Sequence, residues 1–248
     1  MTGTRFLVMK TEHELGEEYI AGLIRARASF IALHQNIAVA HPEWVSSQDA
    51  RTNLLAKPVN LILIAIVNLR VLQDVVSSID FWRWRVDPLL NTPETIRPPS
   101  FEQGTFYRFG FIQFMLSNIE HGFRAIYARV VSDTDEPAHQ AFAHVYSGLF
   151  RAVLTEDQAE AHTKLFDFLR LLRNTIHNNG VYYPVNKRDA RFTIHGREYV
   201  LEFGKRVDVF GWEYFIEWLD PIRDALADVI DAPAVIKVDH ISDIAATT

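Results

Sequence analysis

The 248-residue sequence contains no cysteine, which excludes disulfide bonds, thiolate zinc sites and cysteine nucleophiles. It also lacks a long apolar run. The most hydrophobic stretch, Leu61 to Val67, lies in an uncharged span from Pro58 to Leu69, well short of the roughly 20 residues that a membrane helix needs. The N-terminus has only a short apolar run and no signal-peptide layout. We therefore expect a soluble cytoplasmic protein that does not contact a membrane.

The sequence has no excess of basic residues, because its formal net charge is −6 at pH 7. This charge excludes a basic coat for nucleic acid over the whole surface and permits a local basic site. Arginine outnumbers lysine about three to one, which favours directional cationic contacts. No His-Glu-x-x-His zinc motif, phosphate-binding glycine loop, dinucleotide fingerprint or serine-nucleophile elbow is present. We therefore expect neither a metal nor an organic cofactor.

Apolar residues at helical spacing predict a mainly α fold, a helical bundle. A first helix should cover Glu12 to Ala40, and a second, apolar on nearly all sides, should begin near Pro58 and run to about Ile79. A cluster of prolines between Phe81 and Thr105 predicts a long loop. Aromatic residues alternate with arginines over Phe81 to Pro88. These aromatic side chains could stack on nucleic-acid bases, but the favoured interpretation is that they anchor the end of a helix.

Further helices are predicted over roughly Phe106 to Val131, from Pro137 to near Leu154, and over Trp212 to Ile230 with a kink or restart at Pro221. The tail after Pro233 should be loosely held. We expect one domain over residues 1–248. Its parts are an N-terminal helical part at 1–80, the loop at 81–105, the core helices at 106–180, strands at 187–210 and a C-terminal helix at 211–231.

One further helix is bounded by clear capping residues. Thr155 and Gln158 form a capping box that marks its start, and Asn179-Gly180 suits the left-handed conformation that closes a helix. Its stripe of buried residues should be Ala161, Leu165, Phe168, Leu172 and Ile176.

After Pro184 the period of apolar residues changes from helical to strand-like, and three strands are predicted, an antiparallel β-meander inserted before the C-terminal helix. Gly196-Arg197 and Gly204-Lys205 suit two-residue type II′ loops between the strands. The meander is locally basic, although neighbouring acids offset much of that charge, and a solvated face is the favoured interpretation. The basic residues are Lys187, Arg188, Arg191, Arg197, Lys205 and Arg206.

The most informative segment is RLLRNTIHNNGVYYP, which runs from Arg170 to Pro184. Arg173 lies four residues and Arg170 seven residues before His177, so the three side chains should project from one helical face. A guanidinium group can bind phosphoryl oxygens, and an imidazole can transfer a proton near neutral pH. The pattern therefore favours phosphate chemistry. Beyond the helix, Tyr182 and Tyr183 could stack on a nucleobase, although core packing is favoured for both.

This helix resembles the motif helix of the HEPN superfamily, helical-bundle proteins that are often metal-independent ribonucleases in toxin–antitoxin and anti-phage systems. The family signature is an arginine, four to six residues and a histidine, usually with a polar residue such as asparagine after the arginine. Arg173-Asn174 matches the arginine and the polar residue of this signature, and His177 matches its histidine. Only three residues lie between Arg173 and His177, one fewer than the family range. Six residues separate Arg170 from His177, so either arginine could be the signature residue.

The preceding segment, FMLSNIEHGFRAIYARV, resembles the helix that packs beside the motif in several HEPN branches, with Glu120 and Arg124 facing inward. The resemblance covers roughly Phe106 to Pro184. It implies a homodimer in which two motif helices meet, with RNA as the substrate and an antitoxin or a defence-system protein as a candidate partner.

The resemblance implies RNA cleavage without a metal, in which the ribose 2′-hydroxyl attacks the adjacent phosphodiester. His177 would act as general base or acid. Arg173, with or without Arg170, would stabilise charge on the phosphoryl oxygens, and Asn174 could orient the imidazole or a phosphate.

Three residues would support this site. Adjacent arginines need a nearby anion or carboxylate, and Glu120 is the candidate for that role. Asn178 and Tyr182 are the other supporting candidates, because they follow the motif directly in the chain.

Three alternatives stand beside this interpretation. The segment could be only a helix cap, with cations offsetting the helix dipole, Asn and Gly closing the helix, and a structural His177 paired with Glu120. The same fold could be a non-catalytic module that binds nucleotide, RNA or a protein partner. A metal-dependent helical-bundle hydrolase is the third alternative.

Overall fold

The N-terminal part of the fold is a pair of long antiparallel helices. The computed structural model describes residues 12–76, 100–132 and 140–243. Helix α1 spans Glu12–Ala40, as predicted, and the short helix α2, Pro42–Ser46, leads into α3, Ala50–Val71, which continues as a π-helical turn, Leu72–Val76. The side chain of Arg27 donates to the carbonyl of Val59 at 3.3 Å, which ties the two helices together near their middle.

Helix α3 begins eight residues earlier than predicted. The Asp49 side chain accepts a hydrogen bond from the backbone N–H of Arg51 and caps the helix there. Pro58 therefore lies inside α3 rather than in its first turn. A proline inside a helix leaves the carbonyl one turn earlier without its backbone donor. For this reason the sequence predicts a helix that starts at the proline rather than before it.

The segment Ala50–Asp74 is long and apolar enough to cross a membrane by length and composition, and 33% of its most apolar window is buried inside the structure. The central helix of a soluble bundle can have the same length and composition. The absence of membrane contact therefore remains a prediction.

Three helices form the centre of the bundle. They are α4 (Ser100–Tyr127, continuing as a π-helical turn, Ala128–Ser132), α5 (Phe142–Val153) and α6 (Glu156–Ile176). Residues 100–105 are helical, so the predicted loop is wrong there, while its remainder at 81–99, including the aromatic and arginine segment, lies outside the described residues. The centre of the bundle is aromatic, with Phe123, Tyr146, Phe150 and Phe166 buried against one another.

Helix α6 begins where its capping box predicts. The N–H of Gln158 donates to the Thr155 hydroxyl, and the Gln158 side chain accepts from the N–H of Thr155. Of the predicted stripe, Leu165, Phe168 and Leu172 are buried and Ile176 is partly buried, but Ala161 is exposed. In the first turns the buried alanine is Ala159, so the prediction is wrong at Ala161.

The β structure has two strands rather than three. Strands β1 (Ala190–Ile194) and β2 (Arg197–Leu201) pair antiparallel, with Ile194 opposite Arg197. The loop between them is His195-Gly196, and both residues have positive φ (47° and 79°), which is typical of a type I′ turn rather than the predicted type II′. The expected third strand does not pair with β2, because Arg206 instead forms an antiparallel bridge with Val181.

The C-terminal helix α7, Trp212–Ile230, runs continuously through Pro221, so the predicted restart is wrong. The tail was expected to be loosely held, and it is instead fastened to the bundle up to Asp243. Helix α8 spans Pro233–Ile236, Ile241 is fully buried, and the N–H of Ile241 donates to the Asp49 carboxylate at 2.8 Å. The fold as a whole is mainly α, as predicted.

A buried ion pair holds this tail. The guanidinium of Arg51 is fully buried, contacts Asp49 at 2.7 Å, and donates to the backbone carbonyls of Val235 and Val238 at 2.9 and 2.8 Å. At the end of the tail, the Asp243 carboxylate contacts Lys57 on α3 at 2.9 Å and the ring of His121 on α4 at 2.7 Å. These contacts, together with the burial of Val235 and Ile241, explain why the segment after Pro233 is held against the bundle.

Candidate functional site

The predicted site lies at the C-terminal end of α6, where the helix closes with left-handed residues. His177 is the C-cap and keeps helical backbone angles (φ −65°, ψ −17°), and Asn179 and Gly180 follow with φ of 53° and 82°. The N–H of Gly180 donates to the carbonyl of Thr175 at 2.9 Å, which satisfies one of the last carbonyls of the helix. The sequence therefore predicts the end of the helix correctly.

Arg173 is held against helix α4 by two side chains. Its Nη1 donates to Glu120 Oε2 at 2.6 Å, and its Nε donates to Gln113 Oε1 at 3.3 Å. Gln113 and Glu120 lie two helical turns apart on α4, so the guanidinium group lies along that helix. In the part of the chain that the structure describes, Nη2 of Arg173 has no acceptor and remains able to bind an anion.

The Glu120 carboxylate also binds a second arginine. Its Oε1 accepts from Nη2 and Nε of Arg124, one turn further along α4, at 2.6 and 3.2 Å. All three side chains are about four-fifths buried, which strengthens their electrostatic interactions relative to those in water. One carboxylate thus holds two guanidinium groups at this place. We call Glu120, Arg124 and Arg173 the arginine–glutamate cluster.

Arg170 belongs to a different set of contacts. Its Nε donates to the Tyr146 hydroxyl at 3.3 Å, and its Nη2 lies 3.5 Å from Asp167. The Tyr146 hydroxyl donates to Asp167 at 2.5 Å, and burial, together with this carboxylate, raises the pKa of Tyr146. The structure thus separates the two candidate arginines, because only Arg173 contacts Glu120.

His177 is exposed at the end of α6. Within the described ranges, no side chain or backbone group forms a hydrogen bond with its ring. The structural alternative, in which His177 pairs with Glu120, is therefore wrong, because Glu120 pairs with the two arginines. Asn174 and Asn178 are also exposed.

The two tyrosines after the helix have opposite environments. Tyr182 is 4% exposed and packs in the core, as favoured, and burial raises its pKa. Tyr183 is 58% exposed, so the prediction that it packs in the core is wrong. The bridge between Val181 and Arg206 holds this segment against the chain that follows β2.

Several residues of this region were not predicted from the sequence. Gln113 and Tyr146 reach the arginines from α4 and α5, and no spacing in the sequence indicates contacts between these helices. Asp167 carried a signal, because an acid three residues before Arg170 on a helix lies on the same face.

The described side chains contain no group of three or more His, Asp or Glu residues that could hold a metal ion. Comparison with known proteins found no matching family model, no matching curated protein and no matching solved structure. The functional proposal therefore depends on the geometry of the site and on the resemblance of its motif.

Proposed function

We propose that the protein is a HEPN-like, metal-independent endoribonuclease. The observation that supports this most directly is the pairing of a fixed cation with a free imidazole at the end of one helix. Arg173 is oriented by Glu120 and Gln113, and the unbonded ring of His177 follows one turn later. A residue that only capped the helix would not require this fixed guanidinium group beside it.

The reaction would follow from these two groups. His177 would take the proton of the ribose 2′-hydroxyl, and the 2′-oxygen would form a bond to the adjacent phosphorus while the bond to the 5′-oxygen breaks. The departing 5′-oxygen would gain the proton that His177 has taken up, which returns the imidazole to its neutral form, and the products would be a 2′,3′-cyclic phosphate and a 5′-hydroxyl. Arg173 would stabilise the negative charge that develops on the phosphoryl oxygens through its Nη2, which has no acceptor among the described residues.

The assay is RNA cleavage with EDTA present. We expect His177→Ala to reduce the cleavage rate by at least 100-fold, since general acid–base catalysis contributes about 10²–10⁴-fold. His144→Ala is the matched control, because His144 is also an exposed histidine on a helix of the bundle. Equal cleavage by wild type and His177→Ala, or no cleavage of any RNA tried, contradicts the proposal.

The second candidate function is a non-catalytic module that binds nucleotide, RNA or a protein partner. It is favoured by the engagement of two of the three guanidinium nitrogens of Arg173 with protein acceptors. It is also favoured by the contracted spacing between Arg173 and His177. Such a module would bind RNA equally well as wild type and as His177→Ala, without cleavage by either.

A homodimer is part of the proposal, and an exposed apolar surface supports it. This surface lies on α3 and α4, whereas the resemblance implies a dimer in which two copies of the motif helix α6 meet. The α3/α4 apolar surface is formed by large side chains that are 41 to 73% exposed, namely Leu63, Ile64, Val67, Val71, Phe106 and Phe114. Three of them, Ile64, Phe106 and Phe114, line a groove of about 230 Å³ between the two helices. Together the side chains of this surface expose several hundred Å², a size at which apolar patches on single chains are usually contact sites, roughly 300–600 Å².

A second copy is the occupant that fits this surface best. Two copies that share such a patch approach the roughly 1,000 Å² of a specific interface. In a two-fold dimer each patch faces its own equivalent, so the exposed phenyl rings of one copy can enter the groove of the other. A bilayer is a poorer fit, because the exposed apolar stripe on α3, from Leu63 to Val71, spans roughly 12 Å of the ~30 Å hydrocarbon core.

A role in toxicity or anti-phage defence, in the cytoplasm and with an antitoxin or defence-system partner, is proposed from the resemblance alone. Expression in a bacterial host tests it. Wild-type protein should arrest growth, His177→Ala should not, and growth that is unaffected by either with or without phage argues against this role.

A further inference from the structure

The segment that follows the motif helix exposes an aromatic ring six residues after the candidate catalytic histidine. Tyr183 is 58% exposed and Phe203 39% exposed, and their rings meet edge to face with centroids 5.9 Å apart. Large aromatic side chains are usually buried, and nearby Tyr182 is. The exposed pair of Tyr183 and Phe203 is therefore a candidate surface for binding a ligand.

Backbone hydrogen bonds fix the position of Tyr183. The N–H of Tyr182 donates to the carbonyl of Lys205 at 3.0 Å, its carbonyl accepts from Gly204 at 2.9 Å, and the N–H of Val207 donates to the carbonyl of Gly180 at 2.8 Å. The ring is thus presented by a short antiparallel ladder. A fixed platform loses little conformational freedom when a ligand binds.

The ladder also places a cation on the face that carries Tyr183. Side chains alternate along extended chain, so Val181 and Tyr183 point outward where Tyr182 points into the core. Arg206 is the bridge partner of Val181, and directly opposed residues of antiparallel chains share one face. Arg206 is exposed, so its guanidinium group lies on the outer face with the Tyr183 ring.

Glycine at position 204 keeps that ring accessible. A side chain there would contact Tyr183, since a Cβ atom would lie 3.9 Å from its Cε1. The φ of +73° at this position also favours glycine. Nothing at position 204 therefore covers the ring.

The charge around the aromatic pair is only weakly positive. Three exposed cations, Lys187, Arg188 and Arg206, form no ion pair with any described residue. Asp189, which accepts from the N–H of Phe203 at 2.8 Å, and the exposed Asp208 oppose them. Three positive and two negative charges leave one net positive charge, too little to hold RNA by electrostatics alone, so base stacking must supply much of the affinity.

We propose that Tyr183 stacks on an unpaired base of the RNA strand that reaches His177, and that Arg206 binds a neighbouring phosphate. This inference rests on the proposed function and specifies its substrate as single-stranded at the base next to the cleaved phosphodiester. Tyr183 and Arg206 are positioning residues that hold the strand, and the reacting atoms remain those near His177 and Arg173.

The test measures binding in the His177→Ala background, which should not cleave. Fluorescence anisotropy of a labelled, unstructured RNA oligonucleotide gives the Kd. We expect Tyr183→Leu to raise the Kd about five-fold or more, as loss of one base stack does, and Tyr183→Phe to leave it within two-fold. Arg206→Gln should weaken binding and make log Kd less dependent on log salt by roughly 0.7, the value for one phosphate contact on a single strand.

The matched control is Val39→Ala, because Val39 is an 83% exposed apolar residue on α1, outside both the motif segment and the α3/α4 apolar surface. It should bind RNA as tightly as the His177→Ala background. Undiminished binding by Tyr183→Leu, equal binding of a fully paired duplex, or no binding of any single strand overturns the inference. If wild type cleaves and Tyr183→Leu binds normally, only the stacking site is wrong. If binding depends on Tyr183 but wild type does not cleave, only the ribonuclease proposal fails.

Discussion

The Glu120 carboxylate on α4 accepts a 2.6 Å hydrogen bond from Arg173 on α6. The same carboxylate binds Arg124, so one negative charge holds two guanidinium groups together in a largely buried place. This contact fixes Arg173 at a defined position one turn before His177. The Glu120 carboxylate therefore contributes to the stability of the fold and also to the position of Arg173 in the site.

Replacing Glu120 by glutamine should test this coupling. The variant removes the carboxylate that two largely buried arginines share, and we expect the free energy of unfolding to fall by about 1–3 kcal/mol. Sulfate should recover part of the loss, because an anion can take the place of the carboxylate between the arginines. Thermal unfolding with and without sulfate measures both effects.

Glu160→Gln is the control for this substitution. Glu160 pairs with Lys164 on the exposed face of α6, so its loss should change the melting temperature little, with no specific response to sulfate. Equal destabilisation by the two variants would show that the arginine–glutamate cluster has no special role in the fold.

Arg51→Met should be among the most destabilising substitutions in the chain. Asp49 and Arg51 are both fully buried. The variant leaves the Asp49 carboxylate without its cationic partner and the carbonyls of Val235 and Val238 without their guanidinium donor. We expect a loss of about 3–5 kcal/mol. Arg70→Met, which breaks the exposed pair with Glu17, should lower the midpoint of the same denaturant titration far less. Similar midpoints for the two variants would contradict this account of the tail.

The attachment of Asp243 predicts a pH dependence of stability. Burial alone would raise the pKa of Asp243, but the Lys57 ammonium, the Asn53 amide and the His121 ring hold it below its ordinary value. A carboxyl whose pKa is lower in the folded chain stabilises the fold fully above its ordinary pKa, about 3.9, and loses this contribution as the pH falls through the folded value.

Wild type should therefore be more stable than Asp243→Asn at pH 7, and this difference should shrink below about pH 4. Melting temperatures of both proteins between pH 3 and 7 provide the measurement. Asp220→Asn serves as a reference, because Asp220 is 64% exposed and pairs only at the surface with Arg223. A difference that grows towards acid pH would mean that Asp243 is not held in its charged form.

Phe114→Asp should dissociate the proposed homodimer. It places a carboxylate in the α3/α4 apolar surface, where Phe114 is 63% exposed, and the folded chain should tolerate the change because the site is open. Light scattering after size exclusion should give the dimer mass for wild type and the monomer mass for the variant. Val39→Asp, at an 83% exposed position on α1, should remain dimeric. A wild-type protein that is monomeric at all concentrations, or one that associates with lipid vesicles instead, would show that another occupant covers the surface.

Local signals in the sequence predicted the parts of the fold that depend on neighbouring residues. The capping box at Thr155 and the Asn179-Gly180 closure located both ends of α6, because each acts through hydrogen bonds within a few residues. The start of α3 was missed for the opposite reason. Pro58 is a strong local signal, but packing against α1 and the Asp49 cap support a helix that continues through it.

The errors after Pro184 have one physical origin. Gly204 was expected to turn β2 into a third strand, but residues 204–207 pair with residues 180–182, which directly follow the motif helix. That pairing joins segments more than twenty residues apart, and alternation of apolar residues does not specify the partner of a strand. The contact between Glu120 and Arg173 was likewise beyond local spacing, although the need for a carboxylate beside clustered arginines indicated its residue type.

The attachment of the C-terminal tail to Arg51, Lys57 and His121 has a practical consequence for the design of shortened versions of this protein. A boundary drawn at Ile230, where the last long helix ends, would remove the carbonyls that Arg51 needs and the carboxylate that joins Lys57 to His121. His121 is the neighbour of Glu120 on α4. Such a truncation should therefore disturb helix α4 next to Glu120, and the proposed RNA cleavage would be lost with every motif residue still in place.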